Sequence, residues 1–296
     1  MPLNRGYVYR DEVQRADAGT RLLAYHVARF QHSSPETWRR AIESGQVRVN
    51  GAAADCDRRL GAGDKLEFHR APWEEPEAPL HFRVVHEDDD VLVVEKPSGL
   101  QVLPAGSLLE NTLLFLVRSS SPARAQSAPV HRLGKGTSGL VLFGQNAAAR
   151  AHLSAQLRDF HATKTYLALA SGTALPLSCI ARHPIGTRPH GPLDVACVVP
   201  GGRPSITRLR VLARDHAADR SLVAAQPITG RPDQIRIHLA ACGAPIVGDP
   251  LFGVGGVPIS GVRPGDGGYF LHATGLSVRH PATGRLLKLR SLPDWL

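Results

Sequence analysis

The stretch PVHRLGKGTSGLVLF, residues 129–143, is the part of the sequence from which the fold can best be inferred. Two short apolar runs, Pro129 to Leu133 and Leu140 to Phe143, enclose a polar segment that contains three glycines. This pattern predicts a glycine-rich loop between two buried strands, which is where proteins often place their chemistry. The loop offers cations and hydroxyl groups but no carboxylate. A reaction that requires a carboxylate must therefore take it from elsewhere in the chain.

Two later segments could complete a site with this loop. Residues 163–169 alternate in polarity, which predicts a strand with Tyr166 on one face. Residues 229–233, TGRPD, introduce a predicted helix that contains Arg236. Asp233 and Arg236 are three residues apart, so their side chains can meet on one face of that helix. Each residue also has an ordinary interpretation: a cross-strand tyrosine, an arginine on an exposed helix face, and an acid that stabilises a helix N-terminus.

Length and composition predict a two-domain globular protein. The chain has 296 residues, of which 43% are hydrophobic and 21% are charged. No apolar run approaches the roughly 18 residues that a membrane span requires. The N-terminal residues include acids and form no apolar segment, so we expect no secretory signal and a cytoplasmic location.

The net charge of +9 is distributed unevenly along the chain. Residues 1–70 carry +3, residues 71–90 carry −6, and the rest of the chain carries +12. A basic C-terminal part favours a polyanionic partner such as nucleic acid. The alternative is an arginine-rich surface that serves only solubility.

Cysteines and histidines show no ligand pattern. The four cysteines are scattered without CxxC spacing, and the fourteen histidines include no HExxH motif. We therefore expect reduced thiols, no disulfide framework and no zinc site. The acidic run at residues 87–90 lacks EF-hand spacing and is interpreted as a solvated hairpin tip.

The first seventy residues predict a small module of two helices followed by a short sheet. Ser34-Pro35-Glu36 is a typical helix start, and the Asn50-Gly51 pair is a typical hairpin turn. With the segments RLLAYHVARF, AIESGQVRVNG and LGAGDKLEF, this part resembles the S4 RNA-binding domain. The resemblance implies RNA contacts through basic side chains of the helix pair and the loop behind it; a solvated face is the alternative. The side chains concerned are Arg29, Arg39, Arg40 and Arg48.

The boundaries follow from composition. Residues 1–70 are the predicted S4-like domain, the proline- and glutamate-rich residues 71–80 are a stiff linker, and residues 81–296 form the larger domain.

Five segments of the larger domain stand out, in this order: VVHEDDDVLVVEKPSGLQVLP, VHRLGKGTSGLVLFGQN, QLRDFHATKTYLALASG, TGRPDQIRIHLAACGAPIVGDPLFG and LHATGLSVRHPATG. Together they resemble the RluA-type family of RNA pseudouridine synthases, which often carry an N-terminal S4 domain. The resemblance implies an α+β fold: a catalytic domain with a central, mostly antiparallel sheet, plus the small S4-like α/β module. It also implies isomerisation of uridine in structured RNA, either ribosomal or transfer RNA, with neither cofactor nor metal. The default expectation for the assembly is a monomer.

The resemblance assigns roles to individual residues. Arg132 corresponds to the arginine that enters the RNA stack when the target base is flipped out, and its neighbours His131 and Lys135 are candidate RNA contacts. Tyr166 corresponds to the tyrosine that packs on the flipped uracil. Arg236 corresponds to the arginine that forms an ion pair with the nucleophilic carboxylate.

The sequence departs from the family at the nucleophile itself. Family members carry aspartate where this chain has Gly134, and glycine cannot act as nucleophile or base. A second departure is Pro232-Asp233, in place of a Thr-His pair. We hypothesise that Asp233 supplies the missing carboxylate beside Arg236.

Two other functions compete with this hypothesis. One is an RNA-binding protein that keeps the cleft but has lost the chemistry. The other is a hydrolase that uses Thr137 or Ser138 beside His131, but GTSG lacks the nucleophile-elbow pattern and no aspartate follows nearby.

Overall fold

The structure is a computed structural model and describes residues 3–191, 193–262, 265 and 268–296. The chain divides into two compact units, Met1–Glu75 and Pro76–Leu296.

The first unit contains two helices and one small sheet. Its helices are α1 (Leu22–Arg29) and α2 (Pro35–Glu43); its strands are β1 (Tyr7–Glu12), β2 (Val47–Val49), β3 (Ala52–Ala53) and β4 (Lys65–Arg70). The antiparallel sheet has the strand order β1-β4-β2-β3. Leu22, Trp38, Ile42, Val47 and Leu66 are buried together in its core.

Local signals in the sequence explain these elements. The Ser34 side chain accepts a hydrogen bond from the Thr37 N–H, and Pro35 occupies the first turn of α2. Asn50 and Gly51 have φ values of 53° and 82°, which a tight hairpin turn requires. The predicted cap and turn are therefore confirmed.

The boundary between the units falls within the predicted linker. Residues 71–75 belong to the first unit, because Asn4 donates a hydrogen bond to Glu75 over 2.8 Å and accepts one from the Trp73 N–H over 3.1 Å. Glu75 is buried. This half of the segment is thus part of a fold, which its proline-rich composition did not indicate.

The second unit is built on a large sheet. Its helices are α3 (Leu113–Ser120), α4 (Ala147–Arg158) and α5 (Gln234–Ala241). Its strands are β5 (Arg83–Glu87), β6 (Val91–Lys96), β7 (Ala128–Pro129), β8 (Ser138–Gly144), β9 (Thr163–Ser171), β10 (Ser178–Ala181), β11 (Ile185–His190), β12 (Leu193–Val198), β13 (Thr207–Asp215), β14 (Arg220–Pro227), β15 (Leu271–Arg279) and β16 (Leu286–Arg290).

Within the described residues, ten of these strands form one sheet in the order β10-β13-β14-β9-β15-β8-β6-β5, with β16 beside β15 and β7 beside β8. The β8–β15 pair is parallel and the other pairs are antiparallel. Strands β11 and β12 form a separate hairpin. The architecture is α+β with a mostly antiparallel sheet, as the sequence predicted.

Apolar side chains cover both faces of this sheet. One face belongs to the main core, where Tyr166, Val223 and Leu271 pack with Ile235 and Leu239 of α5. On the other face, Leu142 and Val278 pack with Leu153 of α4. Helix α5, and with it Arg236, is therefore fixed against the sheet by the main core.

The glycine-rich loop joins β7 to β8, but its first flank is less regular than predicted. We expected a strand from Pro129 to Leu133, whereas β7 ends at Pro129. The Leu142 N–H donates to the His131 imidazole over 3.1 Å, so a side chain replaces the backbone partner at that position of β8. The prediction of a strand there was wrong for this reason.

One glycine of the loop is required by close packing. Gly139 has a φ of 107°, and a Cβ atom at this position would lie 2.4 Å from the Ala273 carbonyl oxygen of β15. No other residue would fit there, so Gly139 allows the β8 and β15 backbones to approach each other.

Candidate active site

Arg236 is the centre of a buried charged cluster at the start of α5. The residue is only 4% exposed. Its Nε and Nη2 donate to the two carboxylate oxygens of Asp249 over 2.7 and 2.8 Å, and its Nη1 donates to Asp233 Oδ1 over 2.8 Å. Burial alone would lower the pKa of Arg236, but the hydrogen bonds to Asp249 and the charge of Asp233 raise it. The interpretation of Arg236 as a charge on an exposed helix face was wrong.

The two carboxylates of this cluster differ in whether they leave an oxygen available to a substrate. The Asp249 side chain is 1% exposed, and its Oδ1 also accepts the N–H groups of Leu251 and Phe252 over 2.9 and 3.1 Å. Both oxygens of Asp249 are therefore used inside the protein, where they hold Arg236 and the following turn. The Asp233 side chain is 31% exposed. Within the described residues, its Oδ2 accepts no hydrogen bond, so that oxygen is available to a substrate.

The backbone of Asp233 is in the left-handed region, with φ 51° and ψ 16°. This conformation is uncommon for residues other than glycine, although aspartate and asparagine tolerate it best. The side chain makes no capping hydrogen bond to α5 and instead meets Arg236. The expectation that the two side chains meet is confirmed, and capping through the Asp233 side chain is not what the structure shows.

Gly134 lies beside the Asp233 carboxylate. An ideal Cβ atom built on Gly134 would be 3.9 Å from Asp233 Oδ1. Gly134 does not have a positive φ, so its backbone conformation suits residues with side chains. The carboxylate at position 233 and a side chain at position 134 would therefore face the same small volume.

A hydroxyl pair occupies this volume beside Gly134. The ideal Cβ of Gly134 would be 2.9 Å from the Tyr269 hydroxyl and 3.5 Å from Thr137 Oγ1, and these two oxygens are 3.1 Å apart. Both residues are buried. The Arg236 guanidinium lies 4.2 Å from the Tyr269 ring centroid. Burial raises the pKa of Tyr269, which keeps the hydroxyl protonated.

A buried lysine binds the backbone of the glycine-rich loop. Lys96 is fully buried, and its Nζ donates to the carbonyl oxygens of Pro97, Leu100 and Lys135 over 2.9, 2.7 and 3.1 Å. Burial lowers the pKa of Lys96 to about 7, while its three carbonyl acceptors favour the ammonium form. The Ser98 hydroxyl donates to the Gly136 carbonyl over 2.7 Å. The contacts to Lys135 and Gly136 fix the loop backbone directly after Gly134.

The three predicted RNA contacts of the loop have different environments. Arg132 is exposed, and among the described residues its guanidinium makes no hydrogen bond or ion pair. The Lys135 side chain is half-buried, and its backbone oxygen binds Lys96. His131 is half-buried, and its Nε2 is already used by the Leu142 N–H. Burial and the nearby Lys164 lower the pKa of His131 to about 3, so its imidazole is neutral.

Tyr166 lies on β9 in the same apolar cluster as Leu133, Ile235 and Tyr269. The residue is 9% exposed, and its hydroxyl makes no hydrogen bond within the described part of the chain. Burial raises the pKa of Tyr166 to about 12. The structure thus places Tyr166 in the same apolar core as Ile235 and Tyr269, next to the charged cluster around Arg236.

The predicted RNA contacts of the first unit are exposed. Arg39 and Arg40 lie 3.9 and 3.1 Å from the Glu36 carboxylate on the same helix, with side chains 49% and 77% exposed. Arg29 pairs with Asp11 over 2.7 Å, and Arg48 lies on the exposed side of β2. Such surface pairs contribute little to stability, so these arginines remain available to an anionic partner.

The two alternative nucleophiles, Ser138 and Thr137, form hydrogen bonds with residues other than His131. Ser138 lies 2.8 Å from His272 Nδ1 in the sheet rather than beside His131, and Thr137 pairs with Tyr269. His272 also contacts Ser291 over 3.1 Å and is buried. These contacts do not support the hydrolase hypothesis.

In the described ranges, no cluster of His, Cys, Asp or Glu could hold a metal ion. Among those same residues, no helix is long and apolar enough to cross a membrane.

Sequence reasoning missed three parts of this site: Asp249, Tyr269 and Lys96. Asp249 and Lys96 lie within two of the family-like segments, at GDPLFG and EKPSG. A carboxylate beside a Gly-Pro-rich turn and a lysine before a proline were the available signals. Nothing near Tyr269 in the sequence indicates that its hydroxyl reaches Gly134.

Comparison with solved structures gives the class of protein. The chain is similar to human RNA pseudouridylate synthase domain containing 1, with a TM-score of 0.58 and 27% identity, over 75% of this chain and 88% of the human one. Together with a mostly antiparallel sheet that carries a buried arginine between two carboxylates, this defines an RNA-modifying isomerase fold.

Sequence comparison gives the family. The model of the RNA pseudouridylate synthase family matches residues 90–241. An uncharacterized RNA pseudouridine synthase of Synechocystis is 39% identical, over 90% of this chain and 92% of the relative. Ribosomal large subunit pseudouridine synthase D of Neisseria meningitidis is 33% identical, over 94% and 77% of the two chains. The chain belongs to the RluA-type RNA pseudouridine synthases, which are isomerases of uridine in RNA.

Proposed function

We propose that this pseudouridine synthase uses Asp233 as its catalytic carboxylate. In the reaction, the N1–C1′ bond of uridine breaks and a C5–C1′ bond forms, while C5 loses a proton and N1 gains one. A carboxylate starts this exchange, either as a nucleophile on the sugar or as a base for a sugar proton. Gly134 offers neither function.

One observation carries the proposal: Asp233 Oδ1 lies 3.9 Å from where a side chain of residue 134 would begin. The carboxylate therefore reaches the volume beside the loop from the opposite side. Its Oδ1 is held by Arg236 Nη1 over 2.8 Å, and its Oδ2 is available to the substrate.

The backbone of Asp233 also supports a functional role. A residue other than glycine in the left-handed region is disfavoured, and such conformations concentrate at functional sites. Asp233 does not recover this cost by capping α5. The contact with Arg236 accounts for its orientation.

The other site residues receive roles that fit their environments. Arg236 orients Asp233 and stays charged because Asp249 binds it on the other side. Tyr166 supplies an aromatic face in the core of the site, against which a flipped uracil packs. Exposed Arg132 replaces the flipped base in the RNA stack, with Lys135 beside it as a phosphate contact.

We further propose that the substrate is ribosomal RNA. The Neisseria relative is named as a ribosomal large subunit pseudouridine synthase and resembles this chain over 94% of its length. The first unit, whose sequence resembles the S4 domain, would bind structured RNA through Arg39, Arg40 and Arg48. The cytoplasm is the corresponding compartment, and a monomer is the expected state.

The test is Asp233→Asn, assayed by tritium release from RNA labelled at C5 of uridine and by mapping of pseudouridine. Asparagine keeps the left-handed backbone and one oxygen acceptor but removes the charge. We expect the rate to fall at least ~10³-fold, with RNA affinity within about 3-fold of wild type.

Asp219→Asn is the matched control. Asp219 is another aspartate with a positive φ, 46°, and it lies exposed in the turn between β13 and β14. This variant should retain activity. Full activity of Asp233→Asn would overturn the assignment, and a wild-type protein that binds RNA but forms no pseudouridine would favour the RNA-binding alternative.

A further inference from the structure

Tyr269 is the part of the site that neither the sequence motifs nor the proposed reaction requires. The residue is 5% exposed and belongs to the main core, and it lies two residues before the start of β15. Its hydroxyl is held by Thr137 over 3.1 Å, while Arg236 lies over its ring at 4.2 Å. Tyr269 thus contacts both the loop and the cluster that holds Asp233.

The Tyr269 hydroxyl alone closes position 134 to a side chain. An ideal Cβ on Gly134 would be 2.9 Å from this oxygen, a distance that real Cβ atoms essentially never show. The next atoms of other residues are Thr137 Oγ1 at 3.5 Å and Asp233 Oδ1 at 3.9 Å, so the Tyr269 ring itself is at least 3.9 Å away. Removal of one oxygen would open the position.

The hydroxyl cannot move aside at low cost. The ring packs in the core and against the Arg236 guanidinium, and the hydroxyl is bound to Thr137, whose own N–H donates to the Gly134 carbonyl over 3.0 Å. Movement of the hydroxyl would therefore disturb the turn at residues 134–137 as well as the face of Arg236.

Position 134 is not closed by its backbone. Gly134 has an ordinary negative-φ conformation, unlike Gly139 in the same loop. The requirement for glycine at position 134 therefore comes from Tyr269 across the site. A residue far away in sequence therefore determines whether position 134 can carry a carboxylate.

We propose that Tyr269 is a positioning residue that determines which position can carry the catalytic carboxylate. Its hydroxyl fills the place of a side chain at position 134, and its ring keeps the Arg236 guanidinium oriented toward Asp233. The part that concerns Asp233 rests on the proposed function, whereas the closure of position 134 stands independently.

The first experiment is a double-mutant cycle between Gly134→Ala and Tyr269→Phe, read as the single-turnover rate of pseudouridine formation and as RNA Kd. With Tyr269 present, Gly134→Ala should lower the rate about 10- to 100-fold, because a displacement near 1 Å in a site has that effect. In the Tyr269→Phe background, the same change should cost less than about 3-fold.

The readouts separate positioning from general damage. RNA Kd should stay near the wild-type value in the Tyr269→Phe protein, since the ring and its packing remain, and thermal unfolding should shift only by the loss of the hydrogen bond to Thr137. Gly61→Ala is the matched control, because Gly61 also lacks a positive φ and its ideal Cβ has no neighbour closer than 3.8 Å. It should show no coupling to Tyr269→Phe. An equal effect of Gly134→Ala in both backgrounds would overturn the proposal.

The second experiment moves the carboxylate. The pair Gly134→Asp with Asp233→Asn should be inactive while Tyr269 is present, and addition of Tyr269→Phe should restore activity at least about 10-fold above that pair. Equal activity with and without the hydroxyl, including none in either protein, would refute the positional role of Tyr269.

The two proposals fail in different ways. Full activity of Asp233→Asn alone would remove Asp233 from the reaction and leave the Gly134–Tyr269 coupling intact. Loss of the coupling, with Asp233→Asn inactive, would remove only the role of Tyr269.

Discussion

The loop at residues 131–137 and the start of α5 at residues 231–236 present opposite arrangements of charge. The loop exposes Arg132 and has no acid, whereas the helix start buries Arg236 between two acids. A solvent-exposed cation is available to bind RNA but does not hold neighbouring side chains at fixed positions. A buried cation must be paired, and its partners are thereby held at fixed positions. Under the proposed function, the loop binds RNA and replaces the flipped base, whereas the helix start orients the carboxylate.

The strongest challenge to this comparison is removal of the inner partner of Arg236. Asp249→Asn should lower the free energy of unfolding by about 3–5 kcal/mol, because it leaves a buried charge with half its pairing. Urea denaturation at pH 7 would measure this loss. The matched variant Asp233→Asn should cost less, because its side chain is 31% exposed. Similar losses for both would show that the two carboxylates are equivalent.

The pH dependence of stability tests the buried part of the loop. The pKa of His131 is lowered to about 3 in the fold, from 6.5. Between these values the unfolded chain binds the extra proton, so stability is complete above pH 6.5 and is lost as the pH falls, by about 1.4 kcal/mol per unit.

The check is a comparison of urea denaturation from pH 4.5 to 7.5 for wild type and His131→Asn. The difference between the two proteins should change with pH below 6.5 and be constant above it. A constant difference throughout would mean that His131 titrates normally and is not fixed by the Leu142 N–H.

The smallest expected effect sharpens the comparison from the exposed side. Arg132→Ala should change the free energy of unfolding by no more than about 0.5 kcal/mol, since within the described residues the guanidinium has no partner. RNA binding should weaken, and the slope of log Kd against log salt should decrease by about one. Filter binding at several salt concentrations measures this. A large loss of stability would show that Arg132 has a structural role.

Much of the architecture could be predicted because it depends on local patterns. The cap at Ser34, the Asn50-Gly51 turn and the strand that carries Tyr166 each follow from a few neighbouring residues. The i,i+3 contact of Asp233 with Arg236 is likewise local. The strand predicted at residues 129–133 failed because the His131 side chain replaces a backbone partner of β8, which no periodicity indicates.

The sequence by itself determined the family, the α+β fold and the absence of an acid at Gly134. Only the tertiary structure decided that Asp233 lies beside Gly134 and that Asp249 pairs with Arg236. It also decided that the Tyr269 hydroxyl occupies the space beside Gly134. The physical reason is that β8 and β15 are adjacent strands, with Ser138 opposite His272, so sheet pairing brings together residues that are far apart in the chain. Sequence periodicity reports which face a residue occupies, but packing across the sheet decides which residue it meets.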